Sequence, residues 1–347
     1  EDIPFFDPFL LDSEHCSIAV ADFCNGHLYP ADLHPFPYKR YTTALLDMPW
    51  IGVCDAKEGH GYEIILDTSD DAFFDMIPVK VGMREIVLPK AGWISSKKRF
   101  GYARRLLCHF VSDGGYVALA KYYRTYAQNR GLIVPFSEKV KKNPNLTRLF
   151  GAVDVWGQQS VEFAKEAKKA GVEKMIMNGN STPEELKSIN ELGYLTSCYD
   201  AYQDVFQVEA NGKIDSGHEY LPDNIVLKDD STRMLAWCTW DGHQSMKRCP
   251  VFWERTAKLV IPEVLSKYPF LCRFIDVTTA EDLYECYDER HPLTRAKKRE
   301  LGVRLFDYIR SQGLVVGGEH GRWWAVPVID YVEGMMSGGT DNYAWDA

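Results

Sequence analysis

Short apolar runs, each broken off by Gly, Pro or Asp, set the rhythm of the N-terminal third of the chain. SIAVADF (17–23), YTTALLDM (41–48), WIGVCDA (50–56), GYEIILDT (61–68), FFDMIPVKV (73–81) and REIVLPKAGW (84–93) have the length of strands. HPFP, AKEGHG and TSDD supply turn residues between them. This succession predicts an antiparallel β-sandwich domain over residues 1–113. The period then changes. Val117, Ala120, Tyr123 and Ala127 recur at helical spacing and Gly131 stops them. Pro135 and the polar run KVKKNPN follow, so 114–148 reads as a bridging helix with a linker.

From residue 149 strands and helices alternate. LFGAVDVW (149–156), EKMIMNG (173–179) and YLTSCYD (194–200) are strand-like. An amphipathic helix with Phe163, Ala164, Ala167 and Ala170 separates the first two and ends at Gly171. The next helix opens STPEEL, where Thr182 caps, Pro183 takes the first helical position and Glu185 closes a capping box. An insertion at 201–249 holds a hairpin in FQVEANGKID, turned at Asn211-Gly212, and a strand-like run RMLAWCTW (233–240). VFWERTAKLVIPEVLSKY (251–268) reads as a helix kinked at Pro262. FLCRFIDV (270–277) and LVVGGEHG (314–321) are two more strands, joined by a helix from Thr294 to Gln312. Five such units predict an α/β fold, a (β/α) barrel over 149–347 in preference to a doubly wound sheet. The barrel is incomplete in this chain, because a closed one needs more strands.

Composition removes several function classes. Lys+Arg 40 against Asp+Glu 49 leaves a net charge of −9, so nothing draws the protein to nucleic acid or to an anionic membrane. No apolar run reaches the length of a membrane span. Nine cysteines are scattered without a CxxC pair, which favours buried free thiols over zinc or a disulfide framework and leans to a reducing, cytoplasmic setting. The chain opens EDIPFF, with neither an initiator Met nor a signal peptide, as a fragment of a longer protein would. Asn145-Leu-Thr and Asn180-Ser-Thr match glycosylation sequons. No calcium-loop pattern supports a metal, no cofactor is expected, and the oligomeric state is left open.

In a β/α barrel, chemistry sits where strands hand over to their loops. Here those ends carry Asp154 and Trp156, Asn178, Tyr199 and Asp200, Asp276, then Glu319 and His320. Asp276 and Glu319 are the sharpest pair, because each follows a run apolar enough to be buried. Glycosidic cleavage needs one ionised carboxylate and one protonated carboxyl, with pKa values separated by their surroundings. Trp323 and Trp324 follow Glu319 and are read as sugar-stacking rings, with Asp330 beside them. Trp237, Trp240, Asp241 and His243 in the insertion are further contacts, and Asp204, His218 and Glu219 weaker ones. No GxGxxG, P-loop, GxSxG or HExxH motif is present.

At these residues the chain resembles the α-N-acetylgalactosaminidases of glycoside hydrolase families 101 and 129. Phe274-Ile275-Asp276-Val277 is similar to their aromatic–aliphatic–Asp–Val nucleophile motif, and Glu319-His320-Gly321 to their acid/base turn. Arg322-Trp323-Trp324-Ala325 is similar to the Trp-containing segment that follows. Family 101 continues its first motif with Trp-Gly, where this chain has Thr278-Thr279. The resemblance implies a β-supersandwich before a catalytic barrel. It also implies a retaining mechanism through a covalent glycosyl-enzyme and an oligosaccharide or glycoconjugate substrate with an α-linked N-acetylgalactosamine or galactose-type sugar. A catalytically silent sugar-binding protein and a retaining α-galactosidase or α-glucosidase are the rivals.

Overall fold

The computed structural model describes residues 2–4, 8–11, 14–22, 25–43, 45–206, 222–239, 242–333, 337–338 and 342–343. Nine strands come first: β1 Asp2–Pro4, β2 Cys16–Asp22, β3 Asn25–Pro30, β4 Arg40–Tyr41, β5 Leu46–Asp55, β6 Gly61–Leu66, β7 Ala72–Val81, β8 Arg84–Ile94 and β9 Leu106–Val111. They form two antiparallel sheets, ordered β3-β2-β5-β6-β9 and β1-β8-β7-β4. Ile18, Val53 and Ile64 from the first sheet and Phe74, Leu88 and Trp93 from the second share one core. The run at 41–48 is not a single strand. Its start pairs as β4 and its end opens the long β5.

Strands β2 and β6 are buried along their whole length, so the simple apolar–polar alternation of a half-solvated sheet is missing. The reason is α1, Gly115–Asn129. It lies over the outer face of the five-stranded sheet through Leu119, Tyr123 and Ala127, against Ala19, Trp50, Cys54 and Ile65. Val117 is exposed, and the buried stripe runs through Leu119 instead. A Cβ on Gly52 would meet the Leu119 side chain at 2.7 Å, so that glycine sets how closely the helix approaches. Glu63 of β6 is buried with both carboxylate oxygens unpartnered among the described residues.

Next come α2 Phe136–Lys142, β10 Val153–Trp156, α3 Val161–Lys169, β11 Met175–Asn178, α4 Pro183–Glu191 and β12 Leu195–Asp200. The capping box at Thr182 and Glu185 is formed. The insertion supplies β13 Asp204–Phe206, β14 Leu235–Cys238 and β15 Gln244–Lys247, a small antiparallel sheet. The expected hairpin around Asn211-Gly212 lies outside the described residues. Then follow α5 Trp253–Lys267, which runs through Pro262, β16 Cys272–Ile275, α6 Arg295–Ser311, β17 Val315–Gly318 and β18 Tyr331–Val332.

Strands β10-β11-β12-β16-β17-β18 pair in parallel, in that order, as a curled half-barrel. The sixth strand, β18, escapes sequence reading because it is only two residues long. Side chains alternate between two layers, as the pleat requires. Ile176, Leu195, Cys272 and Val315 face inward onto Leu146, Phe136 and Leu149, which close the floor. Ile275 and Val316 face outward onto α5 and α6.

A charged seam joins the antiparallel sheets to the half-barrel. Arg299 grips Asp70 at 2.6 and 3.1 Å, Arg295 reaches Asp71 at 3.0 Å, and Arg322 pairs with Asp47.

Burial of Glu63 pushes its carboxyl from 4.5 up to about 8. Ionisation is therefore costly in the folded chain, and stability falls as pH rises from 4.5 towards about 8. Glu63→Gln, which keeps the shape without the charge, should raise stability at neutral pH by ~1–3 kcal/mol. Thermal melts should show the largest Tm gain near the upper end of that window and none below its lower end. A gain that did not depend on pH would contradict the account.

Candidate active site

The pleat decides which strand-end residues meet. On β16, Cys272 and Phe274 point into the half-barrel while Arg273 and Ile275 point out. Asp276 therefore continues the inward row. On β17, Val315 is inward and Val316 outward, so Gly317 and Glu319 fall on the inward row as well. Phe274 pairs with Gly317 and Ile275 with Gly318, which sets Asp276 beside Glu319. A Cβ on Gly317 would meet the Tyr331 ring at 2.3 Å. That position is glycine because the neighbouring strand's ring fills the space.

The two carboxyl groups are close enough for the Asp276 charge to act on Glu319. The Val277 amide donates to Glu319 Oε2 at 3.1 Å, and the Tyr199 hydroxyl donates to Asp276 Oδ2 at 2.6 Å. Val277 has φ 63°, a left-handed conformation that a β-branched residue avoids, at a cost of ~1–3 kcal/mol. The strained residue is the one whose amide reaches Glu319. Burial first, then the Asp276 charge, pushes Glu319 from 4.5 up to about 7. Glu319 is thus the carboxyl that keeps a proton up to about 7. They open into a cavity of about 620 Å³ walled by Tyr199, Phe206, Trp237, Asp204 and Glu281.

Trp156 packs edge-on against Phe274, with centroids 5.1 Å apart, and lies 6.3 Å from Tyr199. Asn178 donates to Asp154 at 2.5 Å, and burial raises the Asp154 carboxyl. A second cavity, about 740 Å³, lies between edge strands β10 and β18 and is lined by Asp154, Trp156 and Glu333. Glu333 was not singled out from the sequence. Burial and the charges of Asp154 and Asp276 push it up to about 7. The signal was present in Tyr331-Val332-Glu333, a third strand end closing on a carboxylate, hidden by the brevity of β18.

His320 joins the group, its Nε2 3.9 Å from Glu319 Oε1. Burial and then Arg322 pull its pKa down to about 4, so the ring is neutral.

Other strand-end residues are not brought to the cleft. Asp200 lies one step past Tyr199, on the outward row, in a buried ion pair with Arg273 Nε at 3.0 Å. Trp324 is buried 3.0 Å from where a Cβ on Gly302 would stand, packed on Phe306. Trp323 packs against the same core, with the Arg299 guanidinium 5.6 Å from its ring centroid. The pair fills the space between α6 and the antiparallel sheets and does not line the Asp276–Glu319 cavity. Asp330 is buried as well, accepting from the Val316 amide at 3.0 Å and 3.7 Å from Lys139. Trp240, Asp241, His218 and Glu219 lie outside the described residues.

A family model described as glycosyl hydrolases related to the GH101 family, GH129, matches residues 166–346, more than half of the chain. No curated protein matches it in sequence. Among solved structures, the ligand-free α-N-acetylgalactosaminidase NagBb of Bifidobacterium bifidum has a TM-score of 0.77 at 19% identity, covering 94% of this chain and 62% of that one. The GalNAc complex of NagBb gives 0.75 at 18%, over 91% and 58%. TtGalA, an α-galactosidase from Thermus thermophilus in complex with stachyose, gives 0.53 at 10%, over 91% and 68%. These likenesses are likenesses of fold, and the chain spans less than two thirds of the NagBb length.

If Asp276 and Glu319 share a proton, Asp276→Asn should let Glu319 ionise below about 7, with burial alone holding it above its ordinary value. Carboxyl carbon-13 NMR would follow the titration directly. A Glu319 titration unmoved by the substitution would mean that the two groups do not communicate.

Proposed function

The chain belongs to the GH129 glycosyl hydrolases, related to family GH101, and from that premise we propose that it is a retaining enzyme acting on α-linked N-acetylgalactosamine. Residues 149–347 would form the catalytic unit, 1–113 an accessory sandwich and 114–148 the join. The observation that carries the proposal is the placement of Asp276 and Glu319 side by side on adjacent parallel strands at one cavity, with Glu319 pushed to about 7 by burial and the Asp276 charge.

Asp276 would attack the anomeric carbon as Glu319 gives its proton to the departing glycosidic oxygen. The bond to the aglycone breaks, a covalent bond from Asp276 to the sugar forms, and the aglycone leaves as an alcohol. Glu319, now a carboxylate, would take a proton from water, whose oxygen displaces Asp276 and restores the starting configuration. Retaining pairs stand about 5–5.5 Å apart and inverting ones about 6.5–9.5 Å. Placement on adjacent strands, where Asp276 follows Ile275 and Glu319 follows its partner Gly318, supports the narrow arrangement. Tyr199 would hold Asp276 in line through its 2.6 Å hydrogen bond. A neutral His320 could donate to a sugar hydroxyl or acetamide without adding charge. The likeness in fold to NagBb, an α-N-acetylgalactosaminidase, supports the choice of sugar. That both carboxyl groups line one cavity speaks against a silent binding protein.

Proton NMR of the first-formed sugar from nitrophenyl α-N-acetylgalactosaminide should show the α-anomer, and the α-galactoside should be a far poorer substrate. Asp276→Ala should abolish turnover, with azide restoring release of nitrophenol as the β-glycosyl azide. Glu319→Gln should slow poor leaving groups by about 10²–10⁴-fold and nitrophenol much less. In the parent, kcat/KM should fall as pH rises through about 7, where Glu319 loses its proton. A β-anomer as first product, or a near-normal rate in Asp276→Ala, would remove the proposal.

A further inference from the structure

Away from the cleft, Cys249, Cys286 and His291 bring their ligand atoms within 4.8 Å of one another. All three are buried. The Cys286 sulfur is 3.4 Å from His291 Nδ1. The opposite ring nitrogen, Nε2, is 2.8 Å from the carbonyl oxygen of Asp223 and 3.4 Å from an Asp288 carboxylate oxygen. A carbonyl can only accept, so Nε2 carries the hydrogen and the Nδ1 lone pair faces the sulfurs. That is how an imidazole is oriented when it ligates a metal through Nδ1.

The sulfurs have polar neighbours as well. The Leu227 amide donates to the Cys286 sulfur at 3.4 Å, and the Cys249 thiol donates to the His291 carbonyl oxygen at 3.7 Å, a proton that a bound cation would displace. Two buried sulfurs and an imidazole nitrogen thus converge on one small space. Nearby, the Tyr284 hydroxyl is buried within electrostatic range of both sulfurs and has no hydrogen-bonding partner among the described residues.

We propose that Cys249, Cys286 and His291 bind a structural zinc ion, with a water held at the fourth position by Tyr284. Two thiolates and an imidazole form a donor set that selects zinc over hard, oxygen-seeking cations. The ion ties two parts of the pocket wall. Cys249 follows β15, whose Lys247 pairs with Glu281 and lies 3.4 Å from Asp204. Cys286 and His291 sit on the β16–α6 loop that also carries Glu281. Zinc would staple that loop to the insertion sheet, whichever sugar the cleft accepts. No paired-cysteine motif announces it, because the ligands come from two distant segments.

The chain, purified without chelator and dialysed after exposure to zinc, should hold about one zinc per molecule by mass spectrometry. Cys286→Ser and His291→Asn should lower that content at least tenfold, while Cys108→Ser, at an exposed thiol elsewhere, should not. If the first two variants do not fold, cobalt substitution of the parent decides: thiolate-to-cobalt charge-transfer absorption is expected. Absence of both zinc and the cobalt band, full zinc in folded Cys286→Ser, or a Cys249–Cys286 disulfide in unreduced peptide maps would each overturn the proposal.

Discussion

Two carboxyl groups set side by side in a partly desolvated cleft resist being ionised together. Around Asp276 and Glu319 the fold serves this constraint. Parallel pairing of β16 with β17 sets them side by side, and the pleat turns both inward. The floor of Leu146, Leu195, Cys272 and Val315 keeps water from reaching them from below. Val277, held at φ 63°, turns its amide towards Glu319 and so fixes that carboxyl in place. Without burial the proton would not stay, and without the neighbouring charge it would have less reason to prefer Glu319.

Much of this was legible because strand ends in a β/α fold are marked by an abrupt change from apolar to polar residues. FLCRFID and LVVGGE show that change plainly, and the capping box at Thr182 shows where a helix must begin. What the pattern does not carry is the phase of the pleat. Tyr199 and Asp200 are adjacent letters, yet one faces the cleft and the other an arginine behind the sheet. Trp323 and Trp324 read as sugar platforms for the same reason: an aromatic ring suits either a pocket or a core, and only the packing of α6 against the antiparallel sheets decides. Glu333 was lost because two residues of strand leave no periodicity to detect.

The N-terminal sheets hide their alternation from a different cause. Helix α1 covers the face that would otherwise be wet, so β2 and β6 are buried on both sides and Glu63 is trapped underneath. A sequence that places a carboxylate there gives no hint of burial, because Glu63 stands where a solvent-facing residue of a half-exposed strand would stand.

The ion pair between Arg322 and Asp47 has a bearing on how such proteins can be recombined. Arg322 lies three residues beyond Glu319, and the Trp323 amide also donates to the Asp47 carbonyl at 2.9 Å. The turn bearing Glu319 is therefore moored to a strand of the other half of the molecule. Exchanging the two halves between relatives would demand that this mooring be transplanted along with them. Lineages carrying it should inherit both halves together and not as interchangeable cassettes.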